Sequence, residues 1–96
     1  MVEIKDITCS KEIRDKLASK HKVSLWEVHE VLWGNPDIHF HEIGRIQGED
    51  LYIAYGRTEA GRYLKVFFIY KKNKSALIVT AMDMSAKERR RYGKRN

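Results

Sequence analysis

The hydrophobic period of this chain changes once, at Asn35-Pro36, and that change divides the fold into two kinds of structure. Before it, apolar residues recur at helical spacing: Ile13, Leu17 and Ala18 behind Ser10, then Leu25, Val28 and Leu32 behind Ser24. Ser10 suits a helix N-cap. "SLWE" reads as a capping box, in which the Ser24 hydroxyl accepts from the Glu27 amide while the Glu27 carboxylate takes the Ser24 amide. "KHK" breaks the first helix, and Gly34 with Asn35-Pro36 stops the second.

After Pro36 the period is 2. Ile38 and Phe40 alternate with His39 and His41, and Leu51, Ile53 and Tyr55 share one face. "YLKVFFIY" and "SALIVTAM" are β-branched or aromatic strands separated by the turn "KKNK", and "RTEAGR" is a glycine-containing turn. A second capping box, Ser85 to Glu88, opens a last helix. Val2 and Ile4, alternating with Glu3 and Lys5, give a short first strand. The expected order is β-α-α-β-β-β-β-α: an α+β fold with a small antiparallel sheet, built as a meander with helices packed on it.

The 96 residues suit a single domain over 1–96 with one modest core, its basic tail 93–96 frayed. A hydrophobic fraction of 43% with 33% charged residues fits a folded chain. The net charge is +6, and its distribution is uneven. From Met84 onward stand six cations (Lys87, Arg89, Arg90, Arg91, Lys94, Arg95) against one anion, Glu88, which is five of the six net charges. Such a concentration points to a polyanion or an acidic partner. A lone cysteine, Cys9, forms no internal disulfide and fits a reducing cytoplasm. The charged N-terminus has no signal-peptide core, and the longest apolar runs are too short to span a bilayer, so no membrane association is expected. No P-loop or dinucleotide fingerprint is present, and no cofactor is expected.

Three blocks together resemble the BrnT-type toxins, members of the wider RelE-like ribonuclease toxins of bacterial toxin–antitoxin pairs. They are "KHKVSLWEVHEVL", "GEDLYIAYGRTEAGRYLKVFFIY" and "LIVTAMDMSAKERRRY", covering roughly residues 17 to 92. The resemblance implies a RelE-like sheet and metal-independent, translation-inhibiting RNA cleavage in the cytoplasm. It also implies a toxin–antitoxin hetero-oligomer, the antitoxin being a ribbon-helix-helix DNA-binding protein. One position departs from the family. Where the closing strand generally reads Ser-Ala-Arg, this chain has Thr80, Ala81 and Met82. Methionine has neither the charge nor the donors with which arginine binds phosphate. Either Lys71 or Lys72 of "YKKNK", or Arg57, supplies that charge, or the activity is attenuated.

Metal-free RNA cleavage needs a base for the 2′-hydroxyl, cations for the charge at phosphorus and an acid for the leaving oxygen. Arg57 and Arg62, which flank "RTEAGR", and Arg89 are the candidate cations. Glu88 is the only carboxylate in the basic segment and could be the base, but its place in the capping box gives it a structural use. Tyr92 could serve as acid, as a stacking surface, or as an anchor of the last helix. Lys87, Arg90 and Arg91 could follow a phosphate backbone. His39 and His41 share a strand face at a spacing that can hold zinc, but no cysteine is near and no metal is expected; a histidine could alternatively serve as acid or base. Trp26 and Trp33, seven residues apart on one helical side, are expected in the core, the alternative being an interface with a partner. The competing expectation is a non-catalytic basic module that holds RNA or an antitoxin, and Met82 favours it.

Overall fold

The change of period at Asn35-Pro36 marks the boundary between helices and meander in the computed structural model, which describes residues 3–94. In chain order the elements are β1 (Asp6–Thr8), α1 (Lys11–Lys16, continued by a π-helical turn Leu17–His21) and α2 (Leu25–Trp33). There follow β2 (Asp37–Glu42), β3 (Leu51–Arg57), β4 (Tyr63–Tyr70), β5 (Ser75–Asp83) and α3 (Ala86–Gly93). The three caps are built as the sequence indicates. Ser10 accepts from the Ile13 amide at 3.1 Å, and both capping boxes, Ser24 with Glu27 and Ser85 with Glu88, close in both directions. No helix among the described residues is long and apolar enough to cross a membrane.

The sheet has the order β1-β5-β4-β3-β2. β2 to β5 form the expected antiparallel meander, but the sheet as a whole is mixed and not purely antiparallel, because β1 pairs with β5 in parallel, Ile7 opposite Ala76. Parallel neighbours need a long crossover, and here the helices and the whole meander separate the two strands. The first strand also lies later than the alternation around Ile4 suggested. Glu3 and Ile4 use their carbonyls on side chains instead: Tyr70 Oη donates to Glu3 O and Trp33 Nε1 donates to Ile4 O. Val2 and the tail residues Arg95 and Asn96 lie outside the described residues.

Period 2 sorts the strands into two faces. On one, Ala54, Leu64, Val66, Phe68, Ala76, Ile78 and Ala81 are buried under Leu17 and Val23 and under Val28, Val31 and Leu32 of α2. Gly56 lets α2 approach, since a Cβ there would stand 2.8 Å from Val31 Cγ1. On the other face, Ile53 and Tyr55 make a smaller cluster with Met84, against which Tyr63, Phe67 and Tyr92 pack. This second face is the one α3 leans on.

The tryptophans are not in the core. Trp26 is 71% and Trp33 56% exposed. They do share one side of α2, but the stripe that meets the sheet is Val28, Val31 and Leu32, with Leu25 at its edge. A helix this short buries one stripe, and the neighbouring one stays in water.

Candidate functional site

The exposed-side face of the sheet gathers charge where α3 begins. Lys65 is the register partner of Met82, and Phe67 of Thr80, so these four side chains share that face across β4 and β5. The Ser85 capping box fixes the start of α3 directly after β5 and holds Glu88 over the strands. Its carboxylate is divided: Oε1 accepts from the Ser85 amide at 2.8 Å and Oε2 from Lys65 Nζ at 3.0 Å. Both side chains of this ion pair are only about one-fifth exposed, 20% and 19%. Burial pushes the Glu88 carboxyl up, but the Ser85 amide and the Lys65 ammonium outweigh it and hold it below its usual value. Glu88 is therefore an ionised acceptor at neutral pH, and it is not a proton donor.

Aromatic rings line the rest of the face and hold cations above them. Arg91 lies 5.2 Å from the Tyr55 ring, and both Arg89 (4.4 Å) and Arg57 (5.3 Å) lie against Tyr63. Tyr92 meets Tyr63 edge to face at 6.0 Å, which anchors α3 to the sheet. Lys65 Nζ is 5.9 Å from the Phe67 ring, and His41 meets Phe67 edge-on at 5.7 Å. His39 is bonded to Asp37 at 2.9 Å, and no group of three or more metal-ligating side chains occurs among the described residues. Lys87 and Arg90 are on the exposed part of α3, with Arg90 beside Arg89 at a hollow walled by Tyr63 and Ala86.

The structure thus brings together Arg57, Thr80, Met82, Glu88, Arg89, Arg91 and Tyr92, and it separates three others. Arg62 belongs to the opposite, helix-bearing side. Its guanidinium donates to the His21 and Lys22 carbonyls at 2.9 and 2.6 Å, and to the Glu27 and Asp83 carboxylates at 3.2 and 2.8 Å. Those carbonyls end the π turn, where Lys22 takes a left-handed conformation (φ 54) and backbone acceptors have no helical partner. Lys71 and Lys72 sit at the far turn of β4, some six residues or roughly 20 Å along the strand from Lys65. Lys71 pairs there with Glu49 at 3.0 Å. Neither lysine is placed to replace a charge at Met82; the cation beside that position is Lys65.

Lys65 is the residue that sequence reasoning missed. Its signal was present: a single charge within "YLKVFFIY", in phase with Tyr63 and Phe67. A lone lysine in an apolar strand is commonly a solvated edge, and only the pairing of β4 between β3 and β5 makes it central.

As an arrangement, the face offers ammonium and guanidinium groups over aromatic rings, with one ionised carboxylate among them. It suits a phosphate and an adjacent base. Comparison of the chain with protein-family models and with curated proteins returns no match.

Proposed function

We propose that this chain is a BrnT-like, RelE-type ribonuclease toxin that cleaves RNA without a metal and is held by an antitoxin. The observation that carries the reading is the Lys65–Glu88 pair beside Met82, at the root of a basic helix. An RNA phosphate entering here would draw Lys65 from Glu88 and be held by Lys65 and Arg91, with Arg89 following the flanking backbone. Glu88 would then take the 2′-hydroxyl proton. The 2′ oxygen attacks phosphorus, the bond to the 5′ oxygen breaks, and Tyr92 is the candidate donor of the proton that this oxygen takes. The products are a 2′,3′-cyclic phosphate and a free 5′-hydroxyl. DNA, lacking the 2′-hydroxyl, would not be cut.

A second reading has its own support. Glu88 is committed to the cap and held below its usual pKa, which weakens it as a base, and Met82 brings no charge. A module that binds RNA through the same face, without chemistry, fits these facts.

The test uses the full chain, Lys65→Ala and Met82→Arg with labelled single-stranded RNA in chelator. The ribonuclease reading expects cyclic-phosphate ends from the native chain and a loss of roughly 10²–10³-fold in Lys65→Ala, as for removal of one transition-state donor. Cleavage by Met82→Arg alone identifies an attenuated toxin. Binding without cleavage in all three selects the module.

A further inference from the structure

The helix α2 carries an aromatic side that the core does not use. Trp26, His29 and Trp33 recur along it, with Trp26 at 71% and Trp33 at 56% exposure. Their rings lie against one another. His29 stacks on Trp33 at 4.9 Å and 19°, Trp26 meets His29 edge-on at 6.4 Å, and Trp33 Nε1 is tied to the Ile4 carbonyl at 3.3 Å. Beside them is a cleft of about 360 Å³, whose other walls include Glu30, Glu59 and Arg57.

The charge of this cleft is opposite to that of the chain. The protein is +6 overall, yet two carboxylates and one guanidinium face the cleft, and neither Glu30 nor Glu59 forms an ion pair among the described residues. Arg57 is turned toward the Tyr63 ring, 5.3 Å away. A phosphate entering would meet two carboxylates, which disfavours RNA. A cation is favoured twice over: indole faces attract it and the carboxylates pair with it. Tryptophan is also the side chain most enriched at the energetic centres of protein interfaces. The volume suits one or two side chains, not a folded surface.

We propose that this cleft receives an arginine side chain from a partner protein, stacked on the Trp26–His29–Trp33 row and ion-paired with Glu30 and Glu59. The inference does not depend on the ribonuclease reading, because α2 packs on the opposite side of the sheet from Lys65 and Glu88, and only Arg57, at the sheet's end, borders both.

The test follows the two tryptophan indole N–H resonances and the indole fluorescence of the full chain. The probes are N-acetyl-glycyl-arginyl-glycinamide, its glutamyl counterpart and a short oligouridylate. The arginyl probe should give a saturable change with Kd on the order of 1 mM. E30Q/E59Q, which removes both carboxylate charges while keeping the side-chain shapes, should weaken it about tenfold or more, with far-UV circular dichroism checking that the fold is retained. The glutamyl probe should give no response. A response to oligouridylate in place of the arginyl probe would overturn the proposal in favour of a nucleobase platform. Indole resonances that shift on dilution of the chain alone would overturn it in favour of self-association. No response to any probe at tens of millimolar would mean that the cleft holds only water. Loss of RNA cleavage in Lys65→Ala would leave every one of these results unchanged.

Discussion

Replacing Arg62 tests whether that residue is a clamp or a free cation. In Arg62→Ala, four acceptors lose their donor at once: the His21 and Lys22 carbonyls, Glu27 and Asp83. A bond from a charged donor is worth about 1.5–3 kcal/mol after water competes, and the two carbonyl bonds here are taken at about 1.5 each because the guanidinium is partly exposed. The Glu27 pair, with side chains 26% and 24% exposed, adds about 1 kcal/mol, and Asp83, at 64% exposure, about 0.5. Allowing for the part of the guanidinium already in water, the loss is about 3 kcal/mol. For a chain of this size unfolding in urea at about 1 kcal/mol per molar, the midpoint should fall by about 3 M. Far-UV circular dichroism against urea measures it. Arg62→Lys should recover less than half, because one ammonium cannot span the fork. Asp83→Asn should cost under about 1 kcal/mol. A midpoint shift below about 0.5 M in Arg62→Ala would refute the clamp and return Arg62 to the pool of cations available for a ligand.

Gly56→Ala should destabilise by about 1–3 kcal/mol, since its Cβ would meet the stiff, buried Val31 at 2.8 Å; thermal denaturation reads it. Asp83 and Glu88 are both held below their usual pKa, Asp83 chiefly by its hydrogen bond from Arg62. Such groups add stability above the ordinary carboxylate range and lose it as pH falls through and below that range. The urea midpoint should therefore drop between pH 6 and pH 3, and less steeply in Glu88→Gln and in Asp83→Asn; an unchanged slope in both would contradict the assignment. At neutral pH, Glu88→Gln should cost about 1–2 kcal/mol through the weakened cap and the unpaired Lys65, yet tighten RNA binding in a filter assay because Lys65 is released.

Much of this protein was legible from residue order because its signals are local. A cap needs only a hydroxyl and a carboxylate three residues apart, so Ser10, Ser24 and Ser85 announced all three helices. Alternation needs only neighbours, so β2 to β5 could be read directly, and with them which residues share a face. What alternation cannot give is which face meets which element. Lys65 was visible as a charge in a strand, but its partner Glu88 is 23 residues away and meets it only because β4 lies between β3 and β5. Arg62 flanks the same turn as Arg57, and the two differ in fate because Arg62 reaches the His21 and Lys22 carbonyls with Glu27 and Asp83, while Arg57 lies over the Tyr63 ring at the edge of the α2 cleft.

The same physics explains the two remaining differences. Helical spacing put Trp26 and Trp33 on one side of α2, as read, but whether that side is covered depends on how many stripes the sheet has area to bury, and it buries one. The short first strand carries no turn to tie it to a neighbour, so its parallel place beside β5 is decided only once the meander exists. The sequence by itself determined the helix caps, the four strands of the meander and the concentration of positive charge in α3, because those are set by bonds and spacing within a few residues. The tertiary structure alone decided that Lys65 stands beside Met82, that Arg62 is spent on the end of a helix and that two tryptophans face water, because each depends on contacts between segments far apart in the chain.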